Sequence, residues 1–189
     1  QSDLSSFTTA PPLGGANTAW PSVKYLMTDG THLIGAGAWE TAAGTGFAPS
    51  PRLVVWTPAL GTSDTDGDDE RMVNTTDTKN FLYVDQGITG IGGPLYGCPY
   101  VFSFRSTYKL VPTGQAASLY NRLTLRTDIG CIRHQTIVVA EDESGEPALY
   151  WLSARGPYRS GKMGIEFIGR DVQDRWDLVN QAATNVVAW

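Results

Sequence analysis

The chain has 189 residues, a formal net charge of -5 and 41% hydrophobic residues. That balance excludes the electrostatic footprint of a protein that binds free nucleic acid, and no polybasic segment is present for an anionic lipid surface. No apolar run approaches the roughly 20 residues of a membrane-spanning helix, and no basic-then-apolar leader stands at the start. Gly (21) and Pro (11) are spread without a collagen-like period, and the six Trp and eight Tyr sit mostly in short apolar runs. Many short strands joined by many turns follow from that composition, and so an all-β chain.

Residues 1–21, with Pro11, Pro12, Gly14 and Gly15, read as an extended arm or linker. Residues 22–189 read as the β domain. Val23–Met27 is the first predicted strand. Asp29-Gly30 then signals a tight hairpin, with both central residues at positive φ, and His32–Ala36 returns. A Gly/Ala/Thr loop leads to a strand over Arg52–Trp56, stopped by Pro58. After an acidic loop over Gly61–Glu70, Arg71–Asn74 and Phe81–Val84 are further strand candidates. Ile88–Ile91 is followed by Gly92-Gly93-Pro94, which is expected to break the chain. Tyr100–Phe104 and Thr107–Val111 flank a tight turn, Pro112-Thr113-Gly114 ends the second strand, and Tyr120–Arg126 alternates as an outer strand. The pattern recurs in Thr136–Ala140, Ala148–Leu152, Tyr158-Arg159 and Ile165–Ile168. Asp171–Gln181 is the one predicted helix, capped by Asp171 with Val172, Trp176 and Val179 on one face. Val186–Trp189 starts another strand.

A module of apolar strand, polar turn, aromatic strand, short turn and outer strand therefore occurs at 22–57, 86–126 and 134–168. Self-similarity at about 40–50 residues with four short strands per unit predicts β-propeller blades. A sandwich or jelly roll is the competing all-β architecture. About three blades fit, so the fold class is a partial or composite propeller with one short C-terminal helix.

Several of these segments also carry a resemblance. Gly130-Cys131-Ile132-Arg133-His134-Gln135-Thr136-Ile137-Val138-Val139 and Ala148–Tyr158 resemble a stretch in tail proteins of tailed bacteriophages. Ile88–Ile91 with Val101–Phe104 and Thr107–Leu110 resembles the blade before it, Arg52–Thr57 the one before that, and Ile168–Trp176 the helix after it. The likeness covers roughly residues 22–189; the Gly/Ala/Thr insertion at 41–50 departs from it. It implies a virion structural component, a propeller domain in a tail nozzle, tail tip or adaptor ring. Its partners would be other tail proteins and copies of itself, with DNA passing through without specific binding. The resemblance further implies assembly in the host cytoplasm, no enzymatic activity and no cofactor. Because family members continue past the point matching Trp189, and this chain opens on Gln1, it implies a fragment of a longer protein.

Candidate chemistry is sparse. Asp64, Asp66 and Asp68 alternate around Gly67 as in a calcium loop, but Thr75 stands where an EF-hand needs Glu. A solvated acidic turn is the plainer reading. Ser63–Gly67 begins like the Asp-box of sialidase-type propellers, yet Glu70 stands in place of its Trp. Glu40, Glu141, Asp142 and Glu166 are the carboxylates of a propeller-glycosidase alternative, with no pairing legible in the sequence. His32 and His134 fall at strand ends without a nucleophile nearby. Gly35–Gly37 and Gly90–Gly93 lack the helix and Lys of a phosphate loop and are expected as turn glycines. Tyr96, Tyr100, Phe102, Phe104, Tyr108, Tyr150 and Trp151 are expected between blades; any exposed members would suit a carbohydrate- or receptor-binding tail tip. Arg155, Arg159 and Arg170 near Tyr158 are candidates for subunit contacts. Cys98 and Cys131 are read as two buried thiols, with a single disulfide left open.

Overall fold

The computed structural model describes residues 22–40, 50–57, 81–115 and 118–178. The arm at 1–21, Arg71–Asn74, Asp64, Asp66, Asp68 and Val186–Trp189 lie outside the described residues.

Among the described residues, twelve strands form three four-stranded antiparallel sheets, each an up-and-down meander in chain order. Sheet 1 comprises β1 (Ser22–Thr28), β2 (Leu33–Glu40), β3 (Leu53–Trp56) and β4 (Phe81–Tyr83). Sheet 2 comprises β5 (Ile88–Leu95), β6 (Cys98–Ser103), β7 (Thr107–Gln115) and β8 (Ser118–Arg126). Sheet 3 comprises β9 (Val138–Glu141), β10 (Pro147–Ser153), β11 (Gly156–Gly161) and β12 (Gly164–Phe167). The expected module at 22–57 gains its fourth strand from Phe81–Tyr83, which pairs with Leu53–Val55.

The sheets stack face to face with sheet 2 in the middle. Tyr25, Ile34, Ala36, Val54 and Trp56 of sheet 1 pack on Ile88, Ile91, Val101, Tyr108, Leu110 and Tyr120 of sheet 2. The opposite face of sheet 2, with Leu95, Tyr100 and Phe102, packs on Leu149, Trp151 and Tyr158 of sheet 3. Strand β5 touches β1 and β2 on one side and β9 and β10 on the other. Apolar residues on both faces of β6, all six buried, follow from this central position.

Three local expectations are corrected. Gly92-Gly93-Pro94 and Pro112-Thr113-Gly114 do not end strands: β5 and β7 run through them, with register shifts at Gly92/Leu95 and Pro112/Gln115. A bulge absorbs the residue that cannot join the ladder. The Asp29-Gly30 hairpin is not a two-residue turn. Thr28 pairs with Leu33, leaving a four-residue loop in which Gly30 has φ +96° and Asp29 lies outside the left-handed region. The helix expected at 171–181 is, over the described residues, a 3-10 turn at Arg170–Val172 and a single α turn, α1, at Gln173–Trp176. Asp171 lies inside the 3-10 turn, and no side chain caps either element. What fixes the segment is burial of Trp176, whose Nε1 donates to the Ala154 carbonyl at 3.4 Å.

Candidate functional site: the outer face of the third sheet and the seams between sheets

The seam between sheets 2 and 3 is built on glycine. A Cβ on Gly130 would stand 2.1 Å from the Ser103 carbonyl oxygen, so only glycine lets this backbone lie against the end of β6. Next to it, the Cys131 N–H donates to Ser103 O at 2.9 Å and the Ile132 N–H to Leu152 O at 2.9 Å, joining both sheets. The Trp151 indole donates to Gly130 O at 3.1 Å, and the Thr89 and Thr107 hydroxyls donate to the carbonyls of Cys131 and Ile129. Buried backbone is thereby satisfied, as a dry interface requires. Farther along, Ile137 lies over β5, where a Cβ on Gly90 or Gly92 would come within 2.6 or 2.4 Å of it. These two glycines are strand residues that make room for a neighbour, not the turn glycines expected of them.

Cys131 is fully buried and its thiol donates to the Arg133 carbonyl at 3.0 Å; burial pushes its pKa up to about 11. Cys98 opens β6 and Cys131 bonds to the other end of that strand, roughly 16 Å away at 3.3 Å per residue. A disulfide needs Cα atoms within about 7 Å. Both thiols are free, which closes the alternative the sequence left open.

Sheets 1 and 2 are tied at their hairpin end. Asp29 Oδ1 accepts the N–H groups of Thr31 (2.8 Å) and His32 (2.7 Å). Its Oδ2 accepts the Tyr120 hydroxyl from β8 and lies 3.2 Å from His32 Nδ1. Burial pushes the Asp29 carboxyl up, but Tyr120, the His32 and Thr31 amides and the His32 ring outweigh it and hold the carboxyl below its usual range. Burial first, and then Asp29, push the Tyr120 phenol far above its ordinary value. His32 is thus part of a turn-and-seam clasp that sequence reasoning missed, because Tyr120 lies 91 residues from Asp29. The His134 ring is tilted against Tyr25 with ring centroids 5.0 Å apart, and burial holds its pKa below the ordinary value.

Two of the carboxylates of the glycosidase alternative, Asp142 and Glu166, are engaged otherwise. Asp142 accepts the Ser144 and Glu146 amides in its turn, and those amide bonds hold its pKa down. Glu166 pairs with Arg159, whose guanidinium is 3.7 Å from Asp142. Arg155 pairs with Asp128, alongside Arg126. Arg155 and Arg159, candidates for subunit contacts, thus hold ion pairs within the chain.

The expected inter-sheet aromatics divide. Tyr100, Phe102, Tyr108 and Trp151 are buried in the seams, whereas Tyr96 and Phe104 are exposed at opposite ends of β6. Tyr150 points away from sheet 2. Cross-strand partners share a face, so the outer face of sheet 3 carries Val138 and Ala140 from β9, Tyr150 and Leu152 from β10, and Pro157 from β11. With Ile168 and Glu141 these line an open groove of about 330 Å³. Val138 and Ile168 are 40% and 45% exposed. Contiguous apolar residues left in water mark a contact surface.

Among the described residues, no group of three or more His, Cys, Asp or Glu side chains could hold a metal ion, and no helix is long and apolar enough to cross a membrane. No family model and no curated protein sequence matches the chain.

Proposed function

We propose that this chain is a structural component of a bacteriophage tail, contributing consecutive β-propeller blades to a nozzle, adaptor or tail-tip ring. The observation that carries the reading is the stack of three sequential four-stranded meanders, the third with an open, mostly apolar groove on its outer face. Each sheet has the order of a propeller blade, and β5 lies between the first strands of its neighbours, as inner strands do around a propeller axis. The virion assignment rests on the resemblance of the Gly130-Cys131 segment and the strands around it to tail proteins. In this reading the partners are other tail proteins and further copies of the chain. The net charge of -5 suits a wall past which DNA moves without adsorbing. Against a carbohydrate-binding tip stands the separation of exposed Tyr96 and Phe104; against a glycosidase, the capture of Glu166 and Asp142 by Arg159.

The test is electron microscopy of the native particle and of the purified chain. Closed rings, with this chain occupying adjacent radial sheets inside a tail, are expected. A monodisperse monomer with its three sheets splayed in an open sandwich, and no ring at any concentration, overturns the reading.

A further inference from the structure

Sheet 3 leaves open the kind of surface that sheet 2 covers. On sheet 2 that surface is the face of β5 and β6, and it is occupied by Ile137 and by β9. Ile137 fills the space over Gly90 and Gly92, and Val139, paired with Leu149, faces the same way. The corresponding strip on sheet 3, from β9 and β10, is the groove lined by Val138, Ala140, Tyr150 and Leu152.

The sequence supplies a matching occupant. Thr136-Ile137-Val138-Val139-Ala140-Glu141 returns 48 residues later as Thr184-Asn185-Val186-Val187-Ala188-Trp189, with Thr, Val, Val and Ala in the same places. That interval is close to the 50 residues between the starts of β5 and β9, whereas β1 and β5, with the Gly/Ala/Thr insertion at 41–50 and the acidic segment at 61–70 between them, begin 66 apart. The chain is also delivered to the right place. Between β8 and β9 run 11 residues, 127–137; after β12, 16 residues, 168–183, lead to Thr184, and the first of them are fastened to sheet 3. The Ile168 N–H donates to Pro157 O at 3.1 Å and Trp176 Nε1 to Ala154 O. Five residues lie between Leu178 and Thr184, six Cα-to-Cα steps with a reach of up to about 20 Å, ample to arrive beside β9.

We propose that Thr184–Trp189 docks in the groove of sheet 3 of the same molecule, as β9 docks on sheet 2, and is the leading strand of a fourth sheet. The proposal rests on the blade-stacking half of the proposed function and is independent of the virion assignment. In the repeat, Val187 stands where Val139 does and Asn185 where Ile137 does; Trp189, two residues beyond Val187, falls on the same side of an extended strand and faces the groove.

The test is hydroxyl-radical footprinting of the full chain, with the synthetic peptide Thr184–Trp189 as the free reference. Trp189 is expected to be oxidised about five-fold or more slower in the chain than in the peptide, independent of chain concentration. Val138→Asp, a change at an exposed site, should return Trp189 to within about two-fold of the peptide while Trp151 stays protected. Val187→Asp, which leaves sheet 3 untouched, should raise labelling of Trp189 and Tyr150 together. Trp189 labelled at the peptide rate in the unaltered chain, or protection that survives both substitutions, overturns the docking. Protection that grows with concentration overturns it too, since a second copy then supplies the strand. An undocked Trp189 with a protected Trp151 leaves the stacked sheets standing; fast labelling of Trp151 in the unaltered chain sinks both.

Discussion

Gly92→Ala isolates the glycine seam from everything else in the fold. The new methyl would sit 2.4 Å from Ile137 Cγ2 and 3.4 Å from Leu149 Cδ1, against an ordinary carbon contact of about 3.5–4.0 Å. Gly92 lies in a strand and outside positive φ, so the substitution also relieves the entropy cost of glycine, worth roughly 0.5–1 kcal/mol in favour of Ala. Overpacking of this kind costs about 1–3 kcal/mol, so steric crowding wins and a net loss of about 1–2 kcal/mol is expected. In a domain of this size that lowers Tm by roughly 2–8 °C. Urea unfolding of the two single variants and the pair gives the decisive number. Ile137→Ala removes the atom that clashes, so the double variant should be more stable than the two single losses predict, with a coupling energy of about 1 kcal/mol or more. A Gly92→Ala protein as stable as the parent, or losses that simply add, would refute the placement of Ile137 over β5.

Gly130→Ala should be far worse, because its Cβ meets backbone that cannot rotate away; an unfolding free energy within about 0.5 kcal/mol of the parent, an exposed-surface effect by magnitude, would contradict the seam. Tyr120→Phe removes a hydrogen bond to a part-buried carboxylate, worth about 1.5–3 kcal/mol when the acceptor is charged. Because Asp29 keeps its two amide donors, the lower end is expected by thermal denaturation at pH 7. Acid should unfasten the same clasp. The Asp29 pKa is depressed in the folded chain, so its contribution is present above the unfolded carboxyl pKa of about 3.9 and is lost as pH falls through the lower folded value. Asp29→Asn should therefore flatten the dependence of Tm on pH below about pH 4, and an unchanged slope would count against the clasp. Cys98 and Cys131 should resist a thiol reagent in native buffer and react together on unfolding; prompt reaction of Cys131, whose pKa of about 11 leaves little thiolate, would contradict its burial.

Much of the architecture was legible because it is local. Strands such as Tyr100–Phe104 and Ala148–Leu152 announce themselves by apolar runs bounded by turn residues, and the module repeat placed each meander in order. What misled was also local: Gly92-Gly93-Pro94 reads as a break until β6 is present to show that a bulge carries the strand through it. The isolated fourth strand Phe81–Tyr83 has three residues and no periodicity of its own; it belongs to sheet 1 only because Leu53–Val55 offers it an edge. Helical spacing of Val172 and Trp176 was real, yet a single buried Trp fixes only about one turn, and Val172 remains exposed.

The candidate surface was less legible than the fold. Alternation along Ala148–Leu152 separates two faces but does not say which meets sheet 2, since Leu149 and Trp151 are as apolar as Tyr150 and Leu152 together. Composition, turn chemistry and periodicity fixed the class of the protein, all-β with four short strands per unit, because strand and turn propensities act over a few residues. Only the tertiary structure decided which glycines admit a neighbour, that Asp29 meets Tyr120, that Cys98 and Cys131 are a strand's length apart, and that the apolar face left over belongs to sheet 3. Each of these is a contact between residues tens of positions apart, set by how whole sheets pack, and no local pattern carries that information.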